Sequence, residues 1–152
     1  MTDPIAFDST TARFALPLLY AGQAGKEAFV NEAFSRMDTL LHCTIEGERS
    51  APLEESADGK VWLVGDNASG EWNGCDTMLA CRQGNGWFFM EPRDGMRVFD
   101  RSSGQHRLFF GSWRKASQPL EPLGGTTVDS EARTVISNLV ASLQAVGILP
   151  ST

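Results

Sequence analysis

The side chains that could do covalent chemistry in this 152-residue chain are few and scattered. His42 and His106 are its only histidines, and neither belongs to an HxH or HExxH pattern that would aim two imidazoles at one metal. Cys43, Cys75 and Cys81 are an odd set without CxxC spacing. They read as small buried thiols rather than a disulfide framework or a zinc site, although Cys75 and Cys81 could approach across a hairpin. A nucleophilic cysteine needs a base and an electropositive setting. Cys81, with Arg82 beside it and His106 as a remote base, is the nearest approach to one. Paired carboxylates for glycoside hydrolysis would have to come from Glu71, Asp76, Glu91, Asp94 and Asp100, whose spacings follow no specific pattern. The run Gly65-Asp-Asn-Ala-Ser-Gly70 lacks the Lys-Ser/Thr of a phosphate-binding loop. No catalytic residue, metal ligand or cofactor is assigned, and an enzyme is not expected.

Aromatic residues offer a different chemistry. Trp62, Trp72, Trp87 and Trp113 fall between positions 62 and 113, and three lie beside Gly or Asn turn residues. A flat ring on a polar turn can stack on the C–H face of a sugar while neighbouring polar groups take its hydroxyls. Trp72, flanked by Glu71, Asn73 and Asp76, is the best exposed candidate. Trp72, Trp87, Trp113 and Asn73 form the candidate carbohydrate-binding set. Trp62, inside Val61-Trp-Leu-Val64, reads as core. Alternation splits Trp87-Phe88-Phe89 between both faces of a strand, so the sheet needs a cover on each face. Terminal helices or a neighbouring subunit would supply the second cover.

The elements that must position these rings follow from period and punctuation. Residues 1–17, bracketed by Pro4 and Pro17, read as an extended arm. A helix is predicted from about Leu18 to Leu41, surest from Lys26, because Gly22 and Gly25 weaken its start. A short strand at Cys43–Glu46, a polar loop at 47–59 and a strand at Lys60–Val64 follow. Thr77–Arg82 with Trp87–Glu91, and Met96–Asp100 with His106–Phe110, read as two hairpins in one small antiparallel sheet. A Pro/Gly linker at 120–125 precedes a last helix at about Asp129–Val146, closed by Gly147. Thr126, Thr127 or Asp129 can cap it. Ala132, Ile136, Leu139, Leu143 and Val146 repeat every four and three residues, a short coiled-coil stripe. It could pack on its own sheet, slightly favoured by pattern alone, or zip with copies of itself. In the second case Ile136, Leu139, Leu143 and Val146 are the oligomer interface. The predicted fold is α+β: N-terminal helix, small aromatic-rich antiparallel sheet, C-terminal amphipathic helix. It divides into an arm (1–17), a helix-plus-sheet domain (18–118), and a linker with an oligomerisation-type helix (119–152).

A net charge of −6 and a pI near 4.8 argue against nucleic acid as the main partner. The N-terminus lacks the basic and apolar regions of a signal peptide. No apolar run approaches the roughly 20 residues of a membrane helix, so membrane insertion is not expected. Synthesis in the cytoplasm is expected, with later incorporation into a larger particle left open.

Several motifs occur together. Phe14-Ala-Leu-Pro-Leu-Leu-Tyr-Ala-Gly-Gln-Ala-Gly-Lys26 leads to Asn31-Glu-Ala33. Asp58-Gly-Lys-Val-Trp-Leu-Val-Gly65 and Ala68-Ser-Gly-Glu-Trp-Asn-Gly74 follow, then Asn85-Gly-Trp-Phe-Phe-Met-Glu-Pro-Arg-Asp-Gly95. Over about 14–113 this resembles an uncharacterised domain family common in bacterial prophages and gene transfer agents. The chain departs from that pattern at Gly95-Met96, where the family often has Gly-Trp, so a sugar platform built on that Trp would be altered here. The tail from Gly124 to Ile148 resembles the terminal helix of phage fibre and head-fibre proteins. The resemblance implies a homo-oligomeric spike, fibre or spike base in a phage-like particle such as a gene transfer agent. Its implied partners are other capsid, spike or tail-fibre proteins and cell-surface polysaccharide. A carbohydrate-binding module is the alternative, and a glycan-acting enzyme a distant one.

Overall fold

A computed structural model describes residues 16, 17, 19, 22, 24–54, 56–84, 86–120 and 129–151. The arm expected at 1–17 therefore lies outside the described residues except for Leu16 and Pro17, as does the linker expected at 120–125 except for Leu120. The architecture is α+β, with a helix at each end of two small sheets of mostly antiparallel strands.

Helix α1 spans Lys26–Leu40 and starts later than the apolar pattern suggests. Gly25 sits at φ 67°, a left-handed conformation that ends any helix coming from the N-terminal side. No residue of α1 is buried. Phe29, Phe34, Met37 and Leu41 are exposed, while Leu40 packs on the core.

The strands divide into two four-stranded sheets rather than the single sheet expected. One is ordered β1 (Thr44–Ile45), β6 (Arg97–Asp100), β7 (Gln105–Phe109), β8 (Trp113–Arg114). The other is ordered β2 (Glu48–Arg49), β3 (Val61–Val64), β4 (Leu79–Gln83), β5 (Gly86–Met90). A single extended segment joins them. Cys43 and Ile45 carbonyls accept from Phe99 and Arg101 at 2.9 and 3.0 Å. Two residues on, Gly47 and Arg49 carbonyls accept from Leu63 and Gly65 at 2.9 and 2.8 Å. Each half of the segment thus runs parallel to the first strand of a different three-stranded meander. Such parallel pairs leave no period in two residues of sequence, which is why β2 reads as loop.

The main core lies where the sheets face each other: Ile45, Val61, Leu63, Leu79, Cys81, Met90, Met96 and Val98. A second cluster covers the outer face of β3–β5: Val64, Ala68, Trp72 and Ala80, with Trp62, Trp87 and Phe89 at its margin. The cover here is the chain's own connection between β3 and β4, not a terminal helix. That connection folds back because the Asp76 carboxylate accepts from the Asn67 and Ala68 amides at 3.2 and 3.0 Å. A short 3₁₀ turn, Gly70–Trp72, then drops the indole onto the sheet.

Helix α2 spans Ser130–Ala145. Asp129 Oδ1 accepts from the Ala132 amide at 2.8 Å, a side-chain N-cap. At the other end, Gly147 adopts φ 70°, and the amides of Gly147 and Ile148 donate to Gln144 and Leu143 carbonyls. This is a Schellman closure. The chain then returns to the sheet: His106 donates its amide to Gly147 at 2.6 Å, and Leu149 is buried. A Cβ on Gly147 would come within 3.2 Å of the Phe99 ring. The helix is therefore anchored at its C-terminal end, yet none of its residues is buried.

Candidate functional site

The exposed stripe of α2 is an extended apolar feature that no element among the described residues buries. Val135, Ile136, Leu139 and Val146 have 65, 48, 58 and 62% of their surface exposed. Leu143 is half-buried. The slightly favoured expectation, that the stripe packs on its own sheet, is corrected. The Schellman closure and the 147–151 return occupy the nearby sheet edge, and the helix body is left off the core.

The tryptophans do not make one platform. Trp72, expected on an exposed turn, is fully buried at 0% exposure. Its ring meets Trp87 edge-on, centroids 5.0 Å apart and planes at 88°. A ring with no accessible face cannot stack on a sugar. The sequence signal failed there because a Gly-rich turn can fold inward as readily as outward. Asn73, at the end of the same turn, is exposed. Trp113 is half-buried and packs against the main core: it meets Phe109 edge-on at 5.2 Å, and its Nε1 donates to the Thr77 carbonyl at 2.8 Å. Trp62, half-buried under the Arg49 guanidinium, stays on the margin of the second cluster.

Trp87 is the exception. Half-buried, it lines an open cleft of about 320 Å3 with Pro52, Leu53, Glu54, Glu71 and Arg82. The Arg82 guanidinium lies 5.4 Å from the Trp87 ring centroid. An aromatic face, a planar cation and two carboxylates in one cleft can bind a polar ring with several hydroxyls. Pro52, Glu54 and Arg82 were not legible as site residues. Backbone bonds hold the 47–59 loop in place there: the Ser50 carbonyl accepts from the Ser69 amide at 2.8 Å, and the Gly59 amide donates to the Arg82 carbonyl at 2.9 Å.

The Cys43 and Cys81 thiols do not suit nucleophilic attack. Burial, with the neighbouring Cys81 adding to it, pushes the Cys43 thiol up to about 12. Burial also raises Cys81; a hydrogen bond from Thr39 opposes this, and the Asp38 and Asp58 carboxylates reinforce it. Cys81 faces the core between the sheets, whereas His106 stands on the outer face of the β6–β7 hairpin opposite Phe99. Among the described residues no group of three or more His, Cys, Asp or Glu side chains could hold a metal. Among them, too, no helix is long and apolar enough to cross a membrane.

Residues 30–114 match the family described as "Protein of unknown function (DUF2793)". The match covers more than half of the chain, and the chain belongs to this family. No curated protein matches it.

Proposed function

We propose that this DUF2793 member is a structural component, a spike, fibre or spike base, of a phage-like particle such as a gene transfer agent. It assembles as a homo-oligomer through α2 and contributes to attachment at a cell surface. The observation that carries the assembly is the exposed stripe of Ile136, Leu139 and Val146 on a helix capped at both ends. Its four-three spacing is complementary to a copy of itself, as in a coiled-coil seam. The helix carries only Glu131 and Arg133 as charges, so copies can approach without like-charge repulsion despite the chain's net charge of −6. Burying each large side chain of the stripe contributes roughly 1.5 kcal/mol or more. The particle context rests on the motif resemblance around 14–113 and on the terminal helix.

Light scattering on the purified protein tests the assembly. The chain should elute as an oligomer, and Ile136→Asp with Leu143→Asp should dissociate it while helicity is retained. A wild-type monomer at high concentration, or a folded double variant that still associates, rejects the role given to α2.

A second reading, a carbohydrate-binding module for surface polysaccharide, is favoured by the cleft of Trp87, Arg82, Glu54 and Glu71. Titration with capsular polysaccharide should give a saturable change in tryptophan fluorescence that Trp87→Ala removes. An unchanged response in that variant rejects the cleft.

A further inference from the structure

The outer face of the β6–β7–β8 meander carries cations without matching anions. Register places Arg97 opposite Leu108, and Leu108 opposite Arg114, so the three side chains stand in one row on one face. Two strand spacings put the ends of that row about 10 Å apart. Residues 97, 106, 108, 114 and 115 are all exposed. With Ala116 and Ile148 they line an open cleft of about 350 Å3 to which no carboxylate of the described residues contributes. Arg107, the other basic residue of the lining, is neutralised by Asp100 and Glu48 on the inner face. Among the described residues, Arg97, Arg114 and Lys115 have no ion-pair partner; Arg114 rests on the Phe110 ring, 5.2 Å from its centroid.

A chain of net charge −6 that gathers unpaired cations around an apolar strip has segregated its charge. We propose that this face binds an acidic glycan, a polymer of sugar rings bearing carboxylate or sulfate groups. The cations take the anionic groups through charge-assisted hydrogen bonds, and Leu108 and Ile148 lie under the C–H faces of the rings. At physiological salt the Debye length is about 8 Å, so the acidic bulk of the molecule is largely screened and the local cations decide. Among the described residues the cleft lining holds no Phe, Tyr or Trp, and the neighbouring Phe110 ring lies against the Arg114 guanidinium, so unpaired bases have no series of rings to stack on, which disfavours single-stranded nucleic acid. This face shares no residue with the Trp87 cleft or the α2 stripe, so the inference does not rest on either.

Biolayer interferometry against immobilised polygalacturonate, dextran sulfate, neutral dextran and a short DNA duplex tests it. Wild type should bind one or both acidic glycans and not dextran, and which one binds identifies the anionic group. Arg97→Glu should weaken binding at least about tenfold, the loss expected of a hydrogen bond to a charged group. Lys115→Gln, at an exposed position with no fold role, should weaken it in the same direction. Lys26→Glu, which changes the net charge as much as Arg97→Glu from the far end of α1, should leave it unchanged, as should Trp87→Ala. Binding of dextran or of duplex DNA as tight as that of the acidic glycans overturns the inference. So does undiminished binding in folded Arg97→Glu and Lys115→Gln, or loss confined to Trp87→Ala.

Discussion

Arg107 Nε donates to Asp100 Oδ2 across 2.7 Å, and Nη1 of the same guanidinium reaches Glu48 on the other sheet. Asp100 is completely buried and Arg107 nearly so. One side chain on β7 therefore ties β6 of its own sheet to β2 of the other, at the segment where the two sheets join. Burial alone would raise the Asp100 carboxyl. Hydrogen bonds from Ser102 and Arg107, together with the Arg107 charge, outweigh it and hold the group below its ordinary value.

That sign fixes a pH dependence. A carboxyl depressed in the folded state contributes stability that is present above the unfolded value, about 3.9, and is lost as pH falls through the folded one. Thermal melts from pH 7 downward should show wild type losing stability below about pH 4. Asp100→Asn should be weaker by up to about 3–5 kcal/mol at neutral pH, because the buried Arg107 loses its Asp100 carboxylate and keeps only the half-exposed Glu48, and should lose less on acidification. Adding Arg107→Met should recover part of that loss. A melt of Asp100→Asn that matches wild type at every pH rejects this account.

The Trp72 indole fills the outer face of β3–β5, and its Nε1 hydrogen-bonds no protein atom. Trp72→Ala should cost about 3–5 kcal/mol through the cavity it leaves. Trp72→Phe should cost clearly less, since it keeps most of the ring volume and sacrifices no hydrogen bond within the protein. Denaturant melts of the two variants measure the difference. Equal losses would mean that the indole N–H matters, and wild-type stability in the Ala variant would mean that the turn is not packed.

The three thiols should label in a fixed order. Cys43 and Cys81 are buried and their thiols are raised, whereas Cys75 is only half-buried. With a chromogenic disulfide at neutral pH, Cys75 should react first, and Cys43 and Cys81 only on unfolding. Rapid modification of Cys81 in the folded protein would restore it as a candidate nucleophile.

Much of the local structure was legible because it rests on local rules. The two hairpins, β4–β5 and β6–β7, follow from alternation around Gly-containing turns. The extent of α2 follows from Asp129 and Gly147 at its ends. The start of α1 was legible in the weakness that Gly22 and Gly25 impose.

Sites were less legible, because exposure is a tertiary quantity. Trp72 and Trp87 both lie beside Gly or Asn turn residues, yet one is sealed and the other half-open. The difference is made by Asp76, which pulls the 65–74 loop inward. Trp113 likewise looks like a turn residue and is held against the core, half-buried, by Thr77 and Phe109.

By itself the sequence determined the α+β class, the order of the hairpins and the four-three stripe of α2, since each is written in period, turn chemistry or capping over a few neighbouring residues. Only the tertiary structure decided that the segment 43–49 is shared between two sheets and that Arg107 bridges them. It also decided which tryptophans keep an open face and that the α2 stripe is left without a burying partner among the described residues. Those outcomes depend on contacts between residues far apart in the chain, where no local spacing records which surface meets which.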